Sequence, residues 1–208
     1  MIATVIDDHF DKRFLYNVFP IIECLGYKAT NVAKRKTWPF GEKGSHRLMG
    51  IQIFNRSNVN RITQLHSEAQ VFFDIFEEIE KVLGESLYLS TIEVNLQHSG
   101  NDGTLHRDVY SGGSDYTHTI MFYPNPEWKK EWGGEFQIFS KDEKEVLEEY
   151  EYIPGRIILF ECNHPHRGLG PKKEYPDVYR YSIAFRGTPM QSQNDTGMQD
   201  YMRSITGR

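Results

Sequence analysis

The chain contains no run of about 18 consecutive apolar residues, which leaves no segment suited to crossing a bilayer as a helix. Cysteine is scarce: Cys24 and Cys162 are the only two. So few, so far apart, they support neither a disulfide framework nor a zinc knuckle, and two reduced thiols of an intracellular protein are expected. A leader is not evident, because Asp7, Asp8 and His9 interrupt any early apolar stretch. A cytoplasmic location without a membrane partner is therefore the expectation. Basic runs are also missing. Lys34-Arg35-Lys36 is short, and with a net charge of −5 it reads as a solvated surface patch rather than a nucleic-acid footprint. Internal repeats and low-complexity linkers are absent as well.

What is present is aromatic and turn-rich. Aromatic residues make up 13% of the 208 positions, a bias that favours strands. The length suits one domain with a sizeable core. Residues 10–26 carry apolar positions at roughly helical spacing, weakened by Pro20. The clearest helix is 67–83, where Ser67 and Gln70 form a capping-box pattern and Gly84 is a suitable stop. From residue 87 onward the pattern changes to short strands: 87–97, 117–123, 135–140, 148–153, 156–161 and 179–186. Turn clusters such as Gly133-Gly134 and Pro154-Gly155 separate them. An antiparallel β-sandwich or open barrel follows, with helices against one face. The expected layout over 1–208 is helical support and loops in 1–86, the β core in 87–186, and a surface tail in 187–208.

Chemistry concentrates in three places. In Leu105-His106-Arg107-Asp108-Val109, residues two apart on an extended segment point to one side. His106 and Asp108 can converge while Arg107 faces away, offering one imidazole and one carboxylate to a divalent metal. A second histidine from a distant strand would complete a facial triad with open positions, the arrangement of non-haem Fe(II) centres. The buried strand Ile157-Ile158-Leu159-Phe160 leads to two competitors, His164 and His166. Pro165 restricts the residue before it, so their rings should diverge; His166 is preferred. The third place is Tyr179-Arg180-Tyr181-Ser182-Ile183-Ala184-Phe185. Alternation puts Arg180, Ser182 and Ala184 on one face. If that face lines a barrel, Arg180 offers a planar guanidinium to a dicarboxylate. Thr119, Met121 and Tyr123 share a face of their own strand, and Tyr123 could direct its hydroxyl to the same carboxylate.

Together, His106-x-Asp108, His166 and Arg180-x-Ser182 resemble the 2-oxoglutarate/Fe(II)-dependent dioxygenases, in particular the prolyl 4-hydroxylase branch. Thr119–Asn125, Trp132–Phe139 and Pro154–Phe160 match its strand–turn–strand segments in order and rough spacing over about residues 88–186. His166 falls six residues after Phe160, which suits that branch. The resemblance implies a double-stranded β-helix, a jelly-roll or cupin-like barrel buttressed by helices. It implies iron on His106, Asp108 and His166, and 2-oxoglutarate on Arg180, with Tyr123 and Ser182 or Thr119 assisting. O₂ would be the second co-substrate, succinate and CO₂ the co-products, and ascorbate a further candidate cofactor. A prolyl residue in a peptide or protein is the leading substrate. A free amino acid or other small metabolite is the alternative, and a non-catalytic metal-binding barrel is a rival. The loop Leu169–Val178 is longer than the branch usually has, and Asn95-Leu96-Gln97 stands where many members carry a tyrosine. Loops 37–47, 99–104, 109–114 and 169–178 are candidate lids. Trp38, Tyr110, Trp128 and Trp132 are candidate aromatic contacts.

Overall fold

A computed structural model describes residues 2–32, 47–56, 69–108 and 116–190. The elements run β1 (Thr4–Ile6), α1 (Lys12–Glu23), β2 (Lys28–Val32), β3 (Arg47–Asn55), α2 (Gln70–Leu83) and β4 (Leu87–His98). They continue with β5 (His118–Phe122), a 3₁₀ turn (Lys130–Trp132), β6 (Phe136–Phe139), β7 (Val146–Tyr150), β8 (Ile157–Glu161), β9 (His166–Gly168) and β10 (Tyr179–Pro189).

Among the described residues the strands form two antiparallel sheets, ordered β1-β8-β5-β10-β4-β3-β2 and β7-β6-β9. Period-2 alternation gives the large sheet two apolar faces with different partners. Ile120, Phe122, Ile183, Phe185, Ile92 and Val94 pack with the helices, against Leu15, Val18 and Ile22 of α1 and Phe72, Ile75, Phe76 and Ile79 of α2. Met121, Tyr123, Ala184, Ile158 and Phe160 point the other way and meet Phe136 and Ile138 of the small sheet. Each such fully buried Ile or Phe stabilises the fold by roughly 1.5–3 kcal/mol.

Asp11 caps α1 by accepting from the Phe14 amide at 2.7 Å. Pro20 lies inside the helix rather than ending it; it removes one backbone donor and crowds the carbonyl of Tyr16, a cost that the buried stripe Leu15-Val18-Ile22 offsets. Helix α2 begins at Gln70 from Ala69, which makes no side-chain cap bond, and Ser67 falls outside the described residues. Its end matches expectation. Gly84 adopts φ 68° and its amide bonds the carbonyls of Glu80 and Lys81.

Two expectations need correction. The first 86 residues hold strands β1, β2 and β3 as well as helices. β3 escapes a pattern reading because Gly50 interrupts its apolar alternation and a bulge between Gln52 and Phe54 shifts its phase against β4. At the other end β10 runs past Arg186 to Pro189, with Gly187, Thr188 and Pro189 opposite Leu89, Tyr88 and Leu87. Backbone pairing continues there although the side chains turn polar.

Candidate active site

The segment that carries His106 and Asp108 lies antiparallel to the one that ends in β9. Gly103 donates to the Gly168 carbonyl at 2.8 Å, His106 and His166 exchange backbone bonds at 3.1 and 2.9 Å, and Asp108 donates to the Cys162 carbonyl at 3.1 Å. Residue 103 must be glycine for this approach: a Cβ there would stand 2.8 Å from the Gly168 oxygen. This short ladder delivers the three candidate ligands to one point. One ligand atom from each of His106, Asp108 and His166 lies within 4.8 Å of the others. Nε2 of His106 is 3.8 Å from Asp108 Oδ1, and Nε2 of His166 is 3.7 Å from Oδ2.

The tautomers follow from the partners. His106 Nδ1 lies 2.9 Å from the Thr104 carbonyl and His166 Nδ1 2.9 Å from the His164 carbonyl. A carbonyl only accepts, so each Nδ1 carries the proton and each Nε2 keeps its lone pair for a metal. Burial first, and then the neighbouring His106, push the His166 pKa down to about 4; this ring is neutral at physiological pH, as a ligand must be. Burial opposes ionisation of Asp108, yet Arg186, His166 and His106 together hold its carboxyl well below the usual range. His164 is outside this cluster. It contributes its carbonyl, and its buried Nδ1 finds no partner among the described residues. Arg107 faces away as alternation requires, bonding Asn163 and Lys141 carbonyls and Glu143.

Beside the cluster lies Arg180, only 1% exposed. Its Nε donates to the Gly134 carbonyl at 3.1 Å and its Nη1 to Gln97 Oε1 at 2.7 Å and Ser182 Oγ at 3.3 Å. The guanidinium carbon lies 5.1 Å from the Tyr123 ring centre and 5.2 Å from that of Tyr152, two rings stacked at 4.3 Å. Arg180 Nη2 and Tyr123 Oη are both buried and have no partner among the described residues. Such atoms are costly unless something completes them. Gly168, two residues beyond His166, leaves room there: a Cβ on it would stand 3.3 Å from Nη2. Thr119 belongs to the other end of the site. Its hydroxyl donates to Asp108 Oδ2 at 2.7 Å, while Ser182 stays with Arg180.

Trp128 backs the anchor rather than facing outward. A Cβ on Gly134 would meet both the Trp128 ring, at 2.8 Å, and Arg180, and Trp128 and Trp132 meet edge to face at 5.4 Å. Trp38, Tyr110 and the loops 33–46 and 109–115 lie outside the described residues. The loop Leu169–Val178 is hydrogen-bonded to neighbouring segments. Leu169 bonds the Glu135 carbonyl, Lys172 the Trp132 carbonyl and Gly170 the Asp102 side chain.

Gln97, Arg186 and Glu93 escaped the sequence reading. Gln97 fixes Arg180; it lies opposite Arg180 in the β4–β10 register. Arg186 donates through Nη2 to Asp108 Oδ1 at 3.0 Å and through Nη1 to Glu93 Oε2 at 2.8 Å. A signal existed: Arg186 continues the Arg180-Ser182-Ala184 alternation by one more step.

Residues 93–185 match the family model described as the 2OG-Fe(II) oxygenase superfamily. The matched segment spans a little under half of the chain and contains His106, Asp108, His166 and Arg180. The chain also resembles solved prolyl hydroxylases over about nine-tenths of its length. A Pseudomonas putida prolyl-4-hydroxylase aligns with a TM-score of 0.62 at 14% identity, covering 91% of this chain and 94% of that one. A Trichoplax adhaerens prolyl hydroxylase, solved with a hypoxia inducible factor oxygen degradation domain peptide fragment, gives 0.62 at 15%, covering 89% and 83%. The viral collagen prolyl hydroxylase of Paramecium Bursaria Chlorella virus-1, solved as its 2OG complex, gives 0.56 at 12%, covering 90% and 97%. At these identities the likeness is one of fold, the double-stranded β-helix. No curated protein matches the oxygenase in sequence.

Proposed function

We propose that this oxygenase hydroxylates a prolyl residue of a peptide or protein, consuming 2-oxoglutarate and O₂ and releasing succinate and CO₂. The observation that carries the reading is the pairing of a three-ligand cluster within 4.8 Å with a buried guanidinium whose Nη2 is unpaired. A metal-binding barrel has no use for that second feature. The donor set fits Fe(II): two imidazoles and one carboxylate leave positions for small molecules. The unpaired donors fit a carboxylate, which would complete Arg180 Nη2 and Tyr123 Oη at once.

Iron, when bound, would supply the O₂ chemistry of the reaction. The chain's own residues do the rest. His106, Asp108 and His166 would hold the metal, and the Thr104 and His164 carbonyls fix the ring orientations. Arg180, kept in place by Gln97, Ser182 and Gly134, binds the remote carboxylate of 2-oxoglutarate. Phe136 and Phe160, with ring centres 5.5 and 4.8 Å from that of His166, keep water from the inner side of the cluster. The prolyl assignment is supported by the fold relatives, one of which was solved with a peptide fragment. Incubation with Fe(II), 2-oxoglutarate and either proline-containing peptides or free amino acids tests it. Peptide-stimulated succinate with a 16 Da gain on the peptide is expected. Stimulation by free amino acids alone would replace the peptide reading, and no succinate under any condition would refute the oxygenase mechanism.

A further inference from the structure

Asp108 is held on both of its oxygens by residues from adjacent strands. Thr119 of β5 donates to Oδ2 at 2.7 Å and Arg186 of β10 donates to Oδ1 at 3.0 Å. These two are Cα partners in the β5–β10 register, so the sheet itself spaces the two donors. Arg186 is in turn tethered. Its other nitrogen Nη1 bonds Glu93 of β4 at 2.8 Å, its side chain is 13% exposed, and Glu93 accepts from Gln52 of β3 at 3.3 Å. A polar row thus crosses four strands and ends on the carboxylate.

The consequence is geometric. A carboxylate turns easily about its last single bond, because that torsion is broad. Here rotation would break both donor bonds at once. Each oxygen keeps a lone pair beyond its donor bond, and each has one imidazole Nε2 nearby: that of His106 is 3.8 Å from Oδ1 and that of His166 is 3.7 Å from Oδ2.

We propose that Arg186 is a positioning residue for Asp108: with Thr119 it clamps the carboxylate plane so that the ligand meets the metal in one preset orientation. The proposal rests on the iron-site reading above. Arg186 touches no reacting atom; it acts through Asp108, and Glu93 acts through Arg186. The competing role is a plain structural brace joining β10 to β4, which would leave the metal site indifferent.

The test uses the full chain and Mn²⁺ alone, with free Mn²⁺ followed by electron paramagnetic resonance, beside thermal unfolding of the metal-free protein. The double variant Arg186→Met with Glu93→Gln removes one positive and one negative charge together, so the cluster keeps its net charge and loses only the clamp. A Kd for Mn²⁺ raised roughly 10- to 100-fold is expected, the usual range for losing a partner that orients a ligand. Arg186→Lys is the second arm: it retains the charge without the planar fork and should weaken binding about tenfold. A brace would lower the unfolding temperature and leave the Kd of the folded protein within twofold of the parent; that result in either variant overturns the proposal. Parent protein that binds no Mn²⁺ removes the metal site and the clamp together, so the two failures are distinguishable.

Discussion

Replacing Gly168 by alanine should close the 2-oxoglutarate pocket while leaving Arg180 in place. Gly168 lies in strand β9, in extended backbone that alanine adopts freely. Its added methyl would stand 3.3 Å from Arg180 Nη2 and 3.4 Å from Nη1, inside the optimum carbon contact of about 3.5–4.0 Å. The guanidinium cannot retreat easily, since Gly134, Gln97 and Ser182 all hold it. The methyl therefore covers the edge on which a carboxylate must land. Loss of one charge-assisted hydrogen bond costs about 1.5–3 kcal/mol, which weakens 2-oxoglutarate binding roughly 10- to 150-fold. Stability should change little, because no existing hydrogen bond is removed. The assay is calorimetric titration of 2-oxoglutarate into Mn²⁺-loaded protein, which avoids turnover, with thermal unfolding alongside. A variant that unfolds like the parent and binds 2-oxoglutarate within twofold of it would show that the diacid does not use this edge, and the role given to Arg180 would fall.

Three further outcomes follow from the same geometry. His166→Ala should weaken Mn²⁺ binding more than ~100-fold, beyond the cost of losing an orienting partner, whereas His164→Ala should keep it, since only the backbone carbonyl of His164 serves the site; the reverse pattern would exchange their roles. Ile79→Ala in α2, fully buried among the helix-side core, should cost 2–5 kcal/mol by chemical denaturation yet leave the Mn²⁺ affinity of the folded protein unchanged. Burial raises the Glu80 carboxyl to about 7, so folding favours its protonated form, and the stability this gives is complete below pH ~4.5 and fades as the pH rises through about 7. Glu80→Gln keeps an acceptor for the Leu87 amide and should remove this decline, leaving the variant about 1–3 kcal/mol more stable than the parent at pH 8; parallel denaturation profiles from pH 4 to 8 would show that Glu80 is not buried as described.

The fold was legible where one period ran without interruption. Helix α2 repeats its apolar residues over four turns and stops at a glycine, β10 alternates from Arg180 to Phe185, and β8 is an unbroken apolar run between turns. The missed strands lack that. β1 is three residues long, and β3 carries Gly50 and a bulge, so neither shows a period long enough to read. The candidate ligands were legible because an extended His-x-Asp has only one way to converge. The choice of His166 over His164 lies in backbone pairing: His166 is the residue in ladder contact with His106, which side-chain chemistry does not reveal. Arg186, Gln97 and Glu93 were hidden for another reason. Charged or amide residues on a strand read as solvent-facing unless the partner strand is known, and the partners here are 78, 83 and 93 positions away along the chain.

That distance explains why β10 is the strand on which the site depends most. Its odd and even positions serve different purposes: Tyr181, Ile183 and Phe185 enter the helix-side core, while Arg180 and Ser182 reach the candidate anion pocket and Arg186 reaches Asp108, the candidate carboxylate ligand. Because the side-chain period is two, a slip of β10 by one residue against β4 would drive both guanidinium groups into the apolar layer under α2 and expose three core side chains to the pocket. The buried phenylalanines of the helix layer thus hold the register that aims Arg180 and Arg186. Packing on one face of the sheet and chemistry on the other are set by the same pairing, Ile183 with Val94 and Arg180 with Gln97.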